Sequence, residues 1–153
     1  MDITGMAAIV TGGNGGLGQR ICHALAMAGS DVAVVYAESR GQAESVAQEL
    51  QGLGVRSATF QCDVTDPAQV QRLVSGVVER FGRVDILVND AAYNKWIPFP
   101  DLDAMTYQDW DKILSVNLTG PMMCIKEVAP IMKRRGAGRI INISSVAGIT
   151  PSG

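Results

Sequence analysis

The segment Thr11-Gly-Gly-Asn-Gly-Gly-Leu-Gly18 holds the densest chemistry in this chain. Glycine lets backbone amides come close to a ligand and supplies positive φ where a turn needs it. A helix opening at such a turn presents unpaired amides and a partial positive charge, which suit two linked phosphates. Two registers fit. Gly13, Gly15 and Gly18 match G-x-G-x-x-G, and Thr11-Gly12, Gly16 and Gly18 match T-G-x-x-x-G-x-G. The candidate phosphate-binding residues are Gly12, Asn14, Gly16, Leu17 and Gly18. A second group follows in Tyr36-Ala-Glu-Ser-Arg40, where Arg40 could pair with a phosphate bidentately, Ser39 could hydrogen-bond it, and Glu38 could instead accept from a ribose hydroxyl. Ser144-Ser145 could orient a substrate oxygen. The only histidine, His23, stands beside Cys22 in a helical stretch as a surface or packed residue, so a Ser-His-Asp hydrolase is poorly supported.

Other reactive side chains have plainer readings. Cys22, Cys62 and Cys124 lack metal-ligand spacing and read as small buried hydrophobes in a reducing compartment. Asp101, Asp103, Asp109 and Asp111 resemble a solvated helix start, with no metal-loop spacing, and no metal is expected. Met122, Met123 and Met132 suit helix packing. Trp96, Pro98 and Phe99 could form a substrate wall or an apolar plug.

The elements that position these groups alternate along the chain. Short apolar runs at Met6–Thr11, Asp31–Tyr36, Ser57–Val64, Val84–Asn89 and Arg139–Ser144 predict five strands, buried on both faces. Helical periodicity follows the glycine turn through Leu17, Ile21, Ala24, Leu25 and Ala28. It recurs over Ala43–Leu53, with Val46, Leu50 and Leu53 inward, and after Thr65-Asp66-Pro67. There Thr65 or Asp66 can cap, and Val70, Leu73, Val74, Val77, Val78 and Phe81 face in. Helical text runs from about Leu102 to Arg135, bent or segmented at Pro121 and Pro130. Val146–Gly153 reads as loop. The alternation predicts an α/β fold: a Rossmann-type, doubly wound parallel sheet in three α/β/α layers, forming a single domain over residues 1–153.

Bulk properties narrow the function. Hydrophobic residues make up 47% and charged residues 18%, a balance that fits a packed core and excludes disorder. A net charge of −2, with no basic run beyond Lys133-Arg134-Arg135, gives nucleic acid or an anionic membrane little to hold. No signal peptide or membrane span is legible, so the expected location is cytoplasmic.

With these residues in view, the chain resembles the short-chain dehydrogenase/reductase family over essentially its whole length. The T-G-x-x-x-G-x-G register is that family's. Asp63-Val64 looks like the pair contacting the adenine ring. Asn89-Asp-Ala-Ala92 resembles N-N-A-G, with Asp for the second Asn and Ala for Gly, and Asn89 and Ala91 still suit a place beside the cofactor. Val116-Asn117-Leu118 resembles the segment carrying the catalytic-site Asn, and Arg139–Gly148 the segment carrying the catalytic Ser, at Ser145. The resemblance implies hydride transfer between a nicotinamide cofactor and a small carbonyl or secondary alcohol, of 3-oxoacyl reductase or sugar/alcohol dehydrogenase type. The Ser would orient the substrate oxygen and the Asn would hold a proton-relaying water. NADP(H) is expected ahead of NAD(H), because Tyr36 occupies the position of the usual acid. An SAM-binding Rossmann domain is a remoter alternative.

The family's proton donor lies in Y-x-x-x-K, and Tyr36, Tyr93 and Tyr107 have no Lys four residues on. In the family that motif begins about 13 residues after the Ser, just past Gly153. The expectation is therefore a sheet incomplete at its C-terminus: a fragment, a truncated gene product or an incompletely represented chain. It should be inactive alone, with apolar surface exposed on the sheet and on the Asp109–Met132 helix, while the full-length protein is expected to be a homo-oligomer, a tetramer by the family resemblance.

Overall fold

The computed structural model describes residues 2–98 and 100–146. Strands β1 (Ala7–Thr11), β2 (Asp31–Tyr36), β3 (Ser57–Gln61), β4 (Ile86–Asn89) and β5 (Arg139–Asn142) form one parallel sheet. Their order is β3-β2-β1-β4-β5, so the chain winds one way from β1 and then the other. The reversal falls between β1 and β4, where diverging crossovers leave a crevice at the carboxyl ends of the strands. The glycine turn and the Asn89–Ala92 segment both open onto it.

Alternation along each strand builds two cores. Ala8 and Val10 of β1, Val32 and Val34 of β2, and Ile86 and Val88 of β4 pack toward α1 (Gly16–Met27) and α2 (Arg40–Gly52). Ala7, Ile9, Ala33, Val35 and Leu87 pack toward α3 (Pro67–Phe81) and α5 (Gly120–Arg135). β1 and β2 are buried along their whole length, as continuous apolar runs require. Asp66, not Thr65, caps α3, accepting from the Ala68 and Gln69 amides, and Pro67 occupies the first turn. Among the α3 residues read as inward, Val78 is only half-buried.

Several expectations need correction. On α1 the face against the sheet is Gly18, Cys22 and Ala26, because the helix lies too close for larger side chains there. Leu17 is 53% exposed at the mouth of the crevice, and Ala24 and Ala28 are exposed on the outer side. Leu53 is 47% exposed, since α2 begins earlier, at Arg40, and ends at Gly52, leaving Leu53 in the capping position. Met122 is exposed, while Met132 is buried and Met123 half-buried. Strands three and five stop at Gln61 and Asn142, short of Val64 and Ser144, and strand four starts at Ile86.

The long helical stretch is divided, though not where both prolines predicted. A 3-10 turn (Leu102–Ala104) precedes α4 (Tyr107–Leu114), a π-helical segment (Ser115–Thr119) and α5. Pro121 sits in the first turn of α5, directly after the π segment, and Pro130 lies inside α5 without ending it. At the sheet edge β5 pairs, among the described residues, with β4 alone, and all four of its residues are exposed, as the expectation of apolar surface left open on the sheet implies.

Candidate functional site

Thr11, at the end of β1, joins the two walls of the crevice. Its buried Oγ1 accepts from the amides of Asp90 (3.0 Å) and Ala91 (3.1 Å) and donates to the Val88 carbonyl (3.4 Å). Gly12 follows with φ +67°, and a Cβ there would lie 3.0 Å from Ala91 Cα. Only glycine permits both that conformation and that approach. The end of β4 is therefore pressed against the glycine turn by contacts that sequence spacing did not reveal, although Thr11 stood in the quoted motif.

The turn's two registers are both occupied, for different reasons. A side chain on Gly18 would collide with the Gly12 carbonyl oxygen, and one on Gly13 would meet the Val10 carbonyl, Val34 and Cys22 at 3.0 to 3.2 Å. Gly16 has nothing within 4 Å. It opens α1, whose N-terminus has no side-chain cap and no acidic residue in its first turn. Its leading amides thus have no side-chain acceptor at the switch point, the arrangement that binds anions. Gln19 donates to the Asn14 carbonyl at 2.7 Å, and Asn14 Nδ2 reaches Gln42 at 3.4 Å, tying the turn to α2.

Beyond the ends of β2 and β3 lie the other proposed dinucleotide contacts. Tyr36 is buried against α2, so its ring packs in the core instead of lining the crevice. Ser39 and Arg40 are exposed at the start of α2, where Arg40 Nε donates to Glu44 at 2.7 Å. That carboxylate raises the Arg40 pKa. Asp63 is exposed, and its Oδ1 accepts from the Thr65 amide and hydroxyl at 2.9 and 2.7 Å. Val64 is buried beneath Gly120, where a Cβ would press on its side chain.

On the other side, Asn89 Nδ2 donates to Asn142 Oδ1 at 2.9 Å, and the Asn89 carbonyl accepts from the Ile143 amide. These bonds carry β5 to the same edge, and Ser145 follows three residues after the strand, exposed. Ala91 is half-buried against the α3–α5 core. Asn117 lies in the π segment, a geometry frequent at functional sites. Its amide is engaged by Tyr93, accepting from the Tyr93 N–H and donating to the Tyr93 carbonyl, both at 2.8 Å. Lys112 stands over the Tyr93 ring at 4.2 Å, and Lys95 pairs with Asp109. Thus Asn142, which the sequence reading passed over, and Tyr93, which it weighed only as a proton donor, are the immediate partners of Asn89 and Asn117.

Asp90, on the half-buried β4 end, is the unusual electrostatic feature. Burial raises its carboxyl above the usual range, and no charged neighbour opposes the shift. The remaining reactive groups have structural settings. Burial first, and Asp90 second, push the Cys22 thiol up to about 12, while Cys62 and Cys124 are likewise buried and raised. His23 bonds the Gln19 carbonyl and faces Glu49. Trp96 is 82% exposed and does not act as a plug; Phe99 and residues 147–153 lie outside the described residues. Among the described residues there is no metal-ligating cluster and no helix long and apolar enough to cross a membrane.

This geometry has close counterparts. The sequence profile of short chain dehydrogenases matches residues 6–153. A 3-oxoacyl-(acyl-carrier-protein) reductase FabG of Staphylococcus epidermidis is 40% identical over 144 residues, covering 93% of this chain and 57% of the relative. Sorbose reductase SOU1 of Candida albicans is 35% identical over 148 residues, covering 96% and 52%. A 7 alpha-hydroxysteroid dehydrogenase, solved with NADH and 7-oxo glycochenodeoxycholic acid, superimposes with a TM-score of 0.89 at 31% identity, over 97% of this chain and 56% of its own. The chain therefore spans a little over half the length of these relatives.

Proposed function

The chain belongs to the short-chain dehydrogenase family, and from that premise we propose that it is the coenzyme-binding part of an NAD(P)-dependent oxidoreductase acting on a small carbonyl or secondary alcohol. One observation carries the reading. The uncapped start of α1 stands at the topological switch point, and Gly16 leaves open space in front of it. A pyrophosphate fits that donor set: Gly12 and Gly18 allow the tight turn, and the uncapped amides of the first turn of α1 would bind it. Asp63 and Val64 would border the adenine, and Asn89 and Ala91 the nicotinamide end.

The bound nicotinamide supplies or accepts hydride. The protein's part is to orient the substrate and steady its oxygen as charge develops there. Ser145, exposed beyond β5, would hydrogen-bond that oxygen. Asn117 enters as a positioning residue, because its side chain holds the main chain of Tyr93 and so sets the course of the loop above the crevice. A proton donor of the Tyr–Lys kind is missing from residues 1–153, so this stretch alone binds coenzyme without turning over substrate. A nucleotide-binding module without catalysis is the second reading, favoured by the same absence.

NADP(H) is the preferred coenzyme in this reading, with NAD(H) accepted. Ser39 and Arg40 are exposed, and a 2′-phosphate could take Arg40 over from Glu44, since a solvent-exposed ion pair at this spacing is weak. Similarity to 3-oxoacyl and sorbose reductases supports a 3-oxoacyl or sugar/alcohol-type substrate. The buried thiols suit a cytoplasmic enzyme. The exposed Trp110, Leu114, Leu118 and Met122 support a homo-oligomer. Fluorescence titration tests the coenzyme assignment: NADPH should bind residues 1–153 more tightly than NADH. Tighter NADH binding would remove the preference, and silence with both would remove the reading. NADPH oxidation with a generic ketone should be absent for residues 1–153.

A further inference from the structure

We propose that a dinucleotide seated on the glycine turn is bound together with a proton, and that Asp90 carries that proton. The inference rests on the coenzyme reading of the turn and assigns it a charge-controlling residue.

Asp90 is fixed at the root of the turn by its own backbone. Its amide is held by Thr11 Oγ1, and its carbonyl carbon lies 3.4 Å from where a Gly12 Cβ would be. Strand alternation sends its side chain to the α1 side, after Ile86 and Val88. There it approaches Cys22, whose thiol feels its charge and whose Sγ lies 3.2 Å from the position of a Gly13 Cβ. Asp90 thus stands at the root of the glycine turn, between the end of β4 and the residues that lead into α1.

No cation compensates it among the described residues. From α1, Cys22 faces it and is neutral; Arg20 is exposed to solvent, and His23 is turned to Glu49 on α2. β1 and the turn contribute Thr11, Gly12 and Gly13, which carry no charge. Arg40 and Lys95 are paired with Glu44 and Asp109. Burial already disfavours the ionised form, and two phosphate charges above it disfavour it further. Both effects act in one direction, so ligand binding draws a proton onto Asp90. An asparagine here would present the same shape without the penalty.

Calorimetry with NADH tests this, because NADH lacks the 2′-phosphate, whose own ionisation near pH 6 would obscure the count. Wild-type protein should bind NADH about tenfold more tightly at pH 5.5 than at pH 8.0, one shifted titration being sufficient for that factor. The heat near neutral pH should vary with the ionisation enthalpy of the buffer, reporting proton uptake. Asp90→Asn should bind at pH 8.0 about as tightly as wild type does at pH 5.5, with no pH slope, while His23→Gln keeps the wild-type slope. If Asp90→Asn does not fold, Asp90→Ser, which removes the same titrating group, carries the comparison. Buffer-independent heats, a flat wild-type profile, a slope surviving in Asp90→Asn or one abolished in His23→Gln would each overturn the assignment. Binding that is tight but independent of pH refutes Asp90 alone, whereas no binding at any pH refutes the coenzyme reading with it.

Discussion

Asn89 and Asn142 face each other in register across β4 and β5, and the Asn89 amide nitrogen donates to the Asn142 side-chain oxygen at 2.9 Å. Asn89 is buried, and its own Oδ1 has no hydrogen-bond partner among the described residues. The pair is the last side-chain tie before β5 leads to Ser145. A slip of one residue would reverse the faces of β5, so the tie guards the position of the serine. Asn142→Ala should lower stability by about 1 kcal/mol, since Asn142 is itself exposed and water can partly replace it. Asn142→Asp keeps the acceptor and should lose less. Urea unfolding of both variants checks this, with equal losses counting against the tie.

Thr11 holds two buried amides with one oxygen. Thr11→Val preserves shape but leaves the Asp90 and Ala91 N–H groups without their acceptor, at a cost of about 1–3 kcal/mol. Thr11→Ser should recover most of it. A valine variant as stable as wild type would show that the amides find another acceptor.

Gly16 and Gly18 should separate binding from folding. Gly16→Ala meets open space, so its unfolding midpoint should stay close to wild type, a change below about 1 kcal/mol. Coenzyme affinity should nevertheless fall by about tenfold or more, ~1.4 kcal/mol, because the methyl group occupies the phosphate's approach. Gly18→Ala collides with the Gly12 carbonyl and should cost stability as well, by about 1–3 kcal/mol. Parallel thermal melts and NADPH titrations check the pair. A binding loss in neither would place the phosphates elsewhere.

Asp85 and Asp90 should give opposite pH dependences. At Asp85 burial disfavours ionisation, but hydrogen bonds from Arg83 and the Ala7 amide, with the charges of Arg83 and Arg135, outweigh it and hold the carboxyl below its usual range. Its stabilisation is therefore present above the ordinary carboxylate pKa and lost as pH falls through the lowered folded value. Asp85→Asn should cost about 1–3 kcal/mol at pH 7, the half-exposed arginines keeping it below the figure for a fully buried pair. The gap should close in acid.

For Asp90 the shift is upward, so stability falls as pH rises from the ordinary carboxylate range through the raised folded value. Asp90→Asn should stabilise the protein at pH 8 and match it near pH 4. Guanidinium titrations across that range would decide, and a variant weaker than wild type at pH 8 would contradict the sign.

The sequence by itself determined the class of fold and the residues at the strand ends. Continuous apolar strands between periodic helices leave few topologies open, and the glycine turn, Asn89, Asn117 and Ser145 stood in ordered motifs. The burial of Ile9, Val34 and Leu87 was legible because a period of two or 3.6 is a local property. Ile140 and Ile141 of β5 are exposed, in keeping with the uncovered apolar sheet surface expected beside strand five. What the pattern could not show was distance between elements. Leu17, Ile21, Ala24, Leu25 and Ala28 fit a helical spacing, yet α1 rides so close to the sheet that its buried residues are Gly18, Cys22 and Ala26. The same holds for Thr11 with Ala91, Asn89 with Asn142, Asn117 with Tyr93, and Asp90 with Cys22. Each joins residues far apart in the chain or on different elements, and only packing of the folded sheet and helices brings them together.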